Sequence, residues 1–237
     1  MLKKIIAIIP ARGGSKGLPN KNIKLFCGKP LIYYTINAAK KSQLFDRIVV
    51  STDSPIIKNI AEKFGAQVPF LRPEHLAGDK SNIVDAIVHL LRHLQTKEKY
   101  LPDVIMLLQP TSPLRDLQDI KKSYELFCKL KATALVSVCK THHEIWHIIG
   151  NRLKLANPSS SKLVNRQERQ DTYKQDGSMI YIIKTRAFLR GRDFLPEGTI
   201  AYVIPKWKAV DIDELEDFRI AEVLYKNRKY FQKLEDV

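Results

Sequence analysis

No stretch of this 237-residue sequence approaches the roughly 20 uncharged apolar residues that a membrane-spanning helix requires. The apolar start, LKKIIAII, is too short and wrongly flanked for a secretory leader, so the expectation is a cytoplasmic protein with no membrane partner. Cysteine is scarce: Cys27, Cys128 and Cys139 are widely spaced, odd in number and without a Cys-x-x-Cys pair, which argues against a disulfide framework. Internal repeats and low-complexity linkers are missing too, and a single domain over residues 1–237 is the economical organisation. Two familiar phosphate signatures, G-x-G-x-x-G and G-x-x-x-x-G-K-[ST], do not occur. Acidic residues are outnumbered, 25 against 40 Lys and Arg, and the formal charge of +15 raises the expectation of an anionic partner. Charge alone does not choose among nucleic acid, acidic lipid and a small polyanion, because runs such as AAKKSQ and YKNRKYFQK also suit solvated helix faces.

What is present is an alternation of β-branched apolar runs with helical periodicity. KIIAIIP precedes KPLIYYTINAAKKSQ; RIVVST precedes SPIIKNIAEKFG; DVIMLLQP precedes DLQDIKKSYELFCKLK. Strands apolar throughout are covered on both sides, so the order predicts an α/β fold, a mostly parallel sheet with helices on both faces. NIVDAIVHLLRHL reads as a further covering helix, with His89 and His93 flanking its packed side. After ALVSVCKT the pattern lapses, and residues 140 to about 176 form an excursion before SMIYIIKTRAFL and IAYVIP restore regular elements.

Residues 8–22, IIPARGGSKGLPNKN, pass from a strand into a loop with three of the chain's ten glycines. Gly13, Gly14 and Gly17 stand between Arg12, Lys16 and Lys21. Glycines let backbone N–H groups converge on an anion, and the cations neutralise it from several sides. The loop follows the first strand, where an open α/β sheet binds ligands. Composition alone leaves two readings, a polyphosphate site or a basic surface turn.

Other stretches carry similar pairs of readings. In DVIMLLQPTSPLR, Ser112 suits a helix cap with Pro113 in the first turn, which leaves Gln109 at the strand end unexplained. In AVDIDELED, Asp211 and Asp213 share one face of an extended segment, and two converging carboxylates call for a cation such as Mg²⁺. Asp213 and Glu216 also read as a capping box. HEIWH, His143 to His147, satisfies the H-E-x-x-H zinc pattern, but it follows a β-branched run and is cut by Gly150, whereas two zinc-binding imidazoles need a helix.

The string IIPARGGSKGLPNKNIKLFCGKPLI resembles the opening of the acylneuraminate cytidylyltransferases, the CMP-sialic acid synthetases. The resemblance continues through FLRPEHLAGDKS, LLQPTSPLR, NRQ, GSMIYI and VDIDELED. It implies a Rossmann-like nucleotidyltransferase fold whose excursion is a dimerisation arm, hence a homodimer. It implies CTP and a nine-carbon acidic sugar as partners, with Mg²⁺ or another divalent cation as cofactor, and no nucleic acid. By the same resemblance Arg12, Gly13, Ser15, Lys16 and Lys21 hold phosphates, Asn22 the nucleoside, and Arg72 and Ser81 the cytidine part. Gln109, Arg166 and Tyr181 would meet the sugar, Asp211 and Asp213 the metal, and Arg12, Lys21 and Arg166 the reacting centre. The CMP-KDO synthetase branch or another sugar nucleotidyltransferase is the nearest alternative; a zinc hydrolase and a basic nucleic-acid binder are the alternatives of other classes.

Overall fold

The computed structural model describes residues 4–15, 17–78, 81–141, 146–149, 152–155, 171–175 and 179–234. In chain order the elements are β1 (Ile5–Pro10), β2 (Leu25–Phe26), β3 (Lys29–Pro30), α1 (Leu31–Ser42), β4 (Arg47–Ser51), α2 (Pro55–Lys63), α3 (Ile83–Glu98), β5 (Val104–Leu107) and α4 (Leu117–Lys129). They continue as β6 (Ala134–Thr141), β7 (Trp146–Ile149), β8 (Arg152–Leu155), β9 (Thr172–Lys174), β10 (Tyr181–Lys184), α5 (Thr185–Gly191), β11 (Ile200–Ile204), α6 (Leu215–Lys226) and α7 (Arg228–Lys233). No helix among the described residues is long and apolar enough to cross a membrane.

The main sheet runs β11-β6-β10-β5-β1-β4, with β9 added to β6. β1 pairs parallel with β4 and β5, and β6 pairs parallel with β11, as uniformly apolar strands lead one to expect. β10 is different: it lies antiparallel between β5 and β6, so five of the six strands on the path share a direction. β10 follows β6 as an antiparallel partner, and an antiparallel pair does not require the crossover that a parallel pair does.

Alternation along β1 divides its side chains between two cores. Ile5, Ala7 and Ile9 pack with Ile32 and Ile36 of α1, Ile57 and Ala61 of α2, and Ile120 and Phe127 of α4. Ile6 and Ile8 face Ile87, Leu90, Leu91 and Leu94 of α3 and Phe188 of α5. Helices thus cover both faces. Phe70 seats the rings of His89 and His93, at centroid separations of 5.0 and 4.3 Å, beside the packed side of α3.

Helix starts follow local chemistry. The Ser54 hydroxyl accepts from the Ile57 N–H before Pro55, and Asn82 accepts from Val84 at the head of α3. At α4 the cap is Asp116, not Ser112: Asp116 and Asp119 form a reciprocal capping box, while Ser112 is fully buried four residues upstream. His147 pairs with Lys154 in the antiparallel β7–β8 hairpin, so this half of HEIWH is a strand, unlike the helix that zinc binding needs. His143 and Glu144 lie outside the described residues.

Candidate active site

Beyond β1, the Ala11 N–H still bonds the Ser51 carbonyl at 3.0 Å, and the chain then turns into the glycine loop. The Gly13 N–H donates to Asp53 Oδ1 at 2.9 Å, and the Asn22 amide donates to the Arg12 carbonyl at 3.0 Å, folding the loop back on itself. Beneath it a separate small core gathers Leu18, Phe26, Leu31, Tyr34, Ile212, Phe218 and Ala221. Phe26 anchors that core edge-on to Tyr34 and Phe218, at 5.0 and 5.5 Å. Leu18 belongs to the glycine loop and Ile212 to the D-x-D, so burial of apolar surface brings opposite ends of the chain together.

Polar contacts fix how they meet. The Ile212 N–H donates to the Thr111 carbonyl at 3.0 Å, holding the D-x-D against the loop after β5. Lys21 donates its ammonium to the Ile212 carbonyl at 2.5 Å and to Asp213 Oδ1 at 3.0 Å. Gly17 passes so close that a Cβ there would lie 2.5 Å from the Asp213 carbonyl oxygen. The capping box expected at Asp213 and Glu216 falls instead one residue later, on Glu214 and Asp217, where Asp217 Oδ2 accepts from the Glu214 N–H at 2.9 Å. The Asp213 carboxylate is therefore not used by the cap.

The third side of the site is the end of β5. The Thr111 hydroxyl reaches Gln109 Oε1 at 3.4 Å. Arg115, in the PTSPLR stretch, carries no motif signal in the sequence and is buried to 3% exposure. It donates to the Met179 carbonyl, to Thr35 Oγ1 at 2.6 Å and to the Gln109 carbonyl at 3.2 Å. Complete burial lowers its guanidinium to about 10, with Asp119 opposing the shift.

Together these segments enclose a cleft of about 340 Å³. Arg12, Ser15, Lys21 and Asn22 line it from the loop, Gln109 to Thr111 from β5, and Asp213 and Glu214 from the far end of the chain. Arg72, Ser81 and Tyr181 are not in this lining. Arg72 is buried and donates to the Ser51 carbonyl and hydroxyl and to the Leu76 carbonyl; burial holds its pKa below the usual arginine value, Asp53 countering and Arg12 adding. Ser81 donates to the His75 carbonyl at 3.0 Å. The Tyr181 hydroxyl accepts from Gln175 at 2.8 Å, and its ring packs on Phe194. Lys16 and Arg166 lie outside the described residues.

Among the described residues no three His, Cys, Asp or Glu side chains gather as a self-sufficient metal cage. The D-x-D fits another pattern. Carboxylate and carbonyl oxygens at Asp213 and Ile212 already hold one cation, the Lys21 ammonium. Hard oxygens of this kind suit Mg²⁺, which takes one or two carboxylates and completes its shell with water and substrate phosphate. Asp211 is half-buried and, like Gly13, is not among the residues that line the cleft.

A family profile described as cytidylyltransferase matches residues 6–236. The chain belongs to the cytidylyltransferase family. This family member is 37% identical over 240 residues to the N-acylneuraminate cytidylyltransferase of Escherichia coli O18:K1:H7, covering 99% of this chain and 55% of that protein, so it spans about half that relative's length. It is 37% identical to the CMP-N,N'-diacetyllegionaminic acid synthase of Legionella pneumophila, covering 93% of this chain and 96% of that protein. The pseudaminic acid cytidylyltransferase of Campylobacter jejuni is 32% identical, with 94% and 97% covered. Among solved structures, CMP:2-keto-3-deoxy-manno-octonic acid synthetase complexed with CTP superposes with a TM-score of 0.69 at 18% identity, covering 95% of this chain and 99% of that one. At that identity the likeness is one of fold. The mixed, mostly parallel sheet is thus the architecture of nucleotidyltransferases.

Proposed function

We propose that this cytidylyltransferase family member moves CMP from CTP to a nine-carbon 2-keto acid sugar of the sialic, legionaminic or pseudaminic class, releasing pyrophosphate. The observation that carries the reading is the cleft itself, where the loop cations Arg12 and Lys21, the Gln109 amide at a strand end and Asp213 of the D-x-D face one space. The sugar's anomeric hydroxyl oxygen attacks the α-phosphorus in line; a new P–O bond forms, the bond to the β-phosphate oxygen breaks, and the hydroxyl proton passes to solvent. Catalysis is by positioning and charge neutralisation, without a covalent enzyme intermediate.

Lys21 and Lys16 hold the leaving phosphates, Arg12 and Arg166 offset charge on the transferring group, and Gly13 and Ser15 line the phosphate path. Asn22, bonded to the Arg12 carbonyl, fixes the loop's curvature beside the nucleoside. Gln109, an amide able to donate and accept, orients sugar hydroxyls. Arg72 and Ser81 serve the base, and Tyr181 the sugar, from beyond the lining of the cleft. Asp211 and Asp213 hold a divalent cation, which when bound supplies Lewis-acid polarisation of the phosphoryl oxygens. Lys21 must leave Asp213 for the phosphates as the nucleotide enters, a short transfer because both lie in one cleft.

The wider reading is of one catalytic unit over residues 1–237, working in the cytoplasm as a homodimer through the arm at about 140–176. Pyrophosphate release is measured with CTP, Mg²⁺ and a panel of eight- and nine-carbon 2-keto acids. Turnover with a nine-carbon acid and CTP is expected; turnover confined to the eight-carbon acid, or none with CTP, refutes the reading. A monomer of full activity in sedimentation refutes the dimer.

A further inference from the structure

Lys208 is buried to 5% exposure, a depth lysine reaches only when paired. Its ammonium donates to Asp116 Oδ2 at 3.0 Å and to the two oxygens of Asp119 at 3.0 and 3.1 Å. Burial disfavours its charge, yet the two carboxylates outweigh burial and hold its pKa above the usual lysine value. Both acids are already engaged in the first turn of α4: Asp116 accepts from the Gln118 and Asp119 N–H groups, and Asp119 from that of Asp116. The clamp is thus tied to a rigid helix end.

Arg115, next to Asp116, bonds the Gln109 carbonyl at the end of β5 and the Met179 carbonyl ahead of β10. Two consecutive residues therefore grip three segments: the end of β5, the approach to β10 and the chain that reaches Asp211 three residues after Lys208. An apolar contact would hold this chain to α4 equally well, since a buried ion cluster is seldom more stable than hydrophobic packing of the same volume. Apolar packing, however, tolerates sliding, whereas three charge-assisted bonds from one nitrogen define a point.

We propose that Lys208 is a positioning residue for nucleotidyl transfer: its clamp on Asp116 and Asp119 sets how far the D-x-D carboxylates stand from Gln109 and from the loop cations. This rests on the function proposed for the cleft.

The test uses the full chain with two variants. Lys208→Met/Asp119→Asn replaces the buried pair by neutral groups of similar size and leaves Asp116, 36% exposed, as the helix cap; Lys208→Arg keeps the charge but moves its point of attachment. For either variant kcat is expected to fall about tenfold or more and the half-saturating cation concentration to rise about fivefold, with KM for CTP within about twofold of the parent. Mn²⁺ titration by electron paramagnetic resonance, with CTP and no acceptor, is expected to weaken in step. If the neutral variant does not fold, as judged by circular dichroism, Lys208→Arg decides. Parental kcat and parental Mn²⁺ binding in a folded variant, whatever its melting temperature, overturn the proposal. Were the parent itself inactive with every acid sugar, the proposed function would fail separately, and the Mn²⁺ titration would still judge Lys208.

Discussion

Replacing Gly17 by alanine tests whether the glycine loop and the D-x-D form one site. The added Cβ would lie 2.5 Å from the Asp213 carbonyl oxygen and 3.3 Å from its carbonyl carbon. Both are backbone atoms, unable to swing aside. Ordinary contact begins at 3.4 Å, so the two segments must part by about 0.9 Å, the difference between those distances. Ile212 resists, being fully buried and bonded to the Thr111 carbonyl, so most of the movement falls on the loop that carries Arg12 and Lys21. Overpacking of this kind costs about 1–3 kcal/mol of stability, and a displacement near 1 Å at reacting groups costs about 100-fold in rate. The assay pairs thermal unfolding with pyrophosphate release at saturating CTP. Gly14→Ala is the control in the same loop, since a Cβ there meets nothing within 4 Å. Its expected loss is at least about tenfold smaller. Equal losses in the two variants would refute the reasoning, because the loop would then need glycine for ligand approach and not for its contact with Asp213.

Lys21→Met is expected to cost about 1–3 kcal/mol, mostly from the Ile212 carbonyl losing its donor and little from Asp213, which is 76% exposed, and to lower kcat about 100-fold. With the ammonium gone, Mn²⁺ binding to the nucleotide-free protein is expected to tighten about tenfold, and unchanged or weaker binding counts against Asp213 as a metal ligand. Arg115→Met leaves the Met179 and Gln109 carbonyls and the Thr35 hydroxyl without their buried donor. A loss of about 3 kcal/mol or more in urea unfolding is expected, and a loss below about 1 kcal/mol contradicts it. His89 is held below its usual value of 6.5 by burial and by His75, His93 and Arg92. Below that value the unfolded chain binds a proton that the folded protein refuses, so stability rises with pH through this window and falls on acidification. His89→Leu is expected to flatten the dependence between about pH 5 and 7; an unaltered slope in the variant assigns it elsewhere.

Much of the fold was legible because local chemistry fixed it. KIIAIIP is apolar at every strand position, and it is buried on both faces with its odd and even residues in different cores. Strand direction was not legible for Tyr181–Lys184, since an apolar run has no sense of up or down. Caps were legible as types but not always as positions. Ser112 and Asp116 are both good caps, and only the course of the chain after β5 selected Asp116. The same one-step ambiguity moved the second box from Asp213 to Glu214. In the site, Arg12, Ser15, Lys21, Asn22, Gln109 and Asp213 line one cleft, while Gly13, Asp211, Arg72, Ser81 and Tyr181 stand outside its lining, the last three bonded to Ser51, His75 and Gln175. Lys208 escaped notice because one buried lysine reads like the solvated ones around it until its partners, 89 and 92 residues away, are known.

By itself the sequence determined the alternation of strands and helices, the cationic glycine loop and the paired aspartates near the other end, because each is written in a short run of neighbouring residues. Only the tertiary structure decided that Gly17 touches Asp213, that Lys21 bonds across to Ile212, and that Arg115 and Lys208 are interior. Those facts depend on which apolar surfaces find each other across about 200 residues of chain, and no local pattern records that choice.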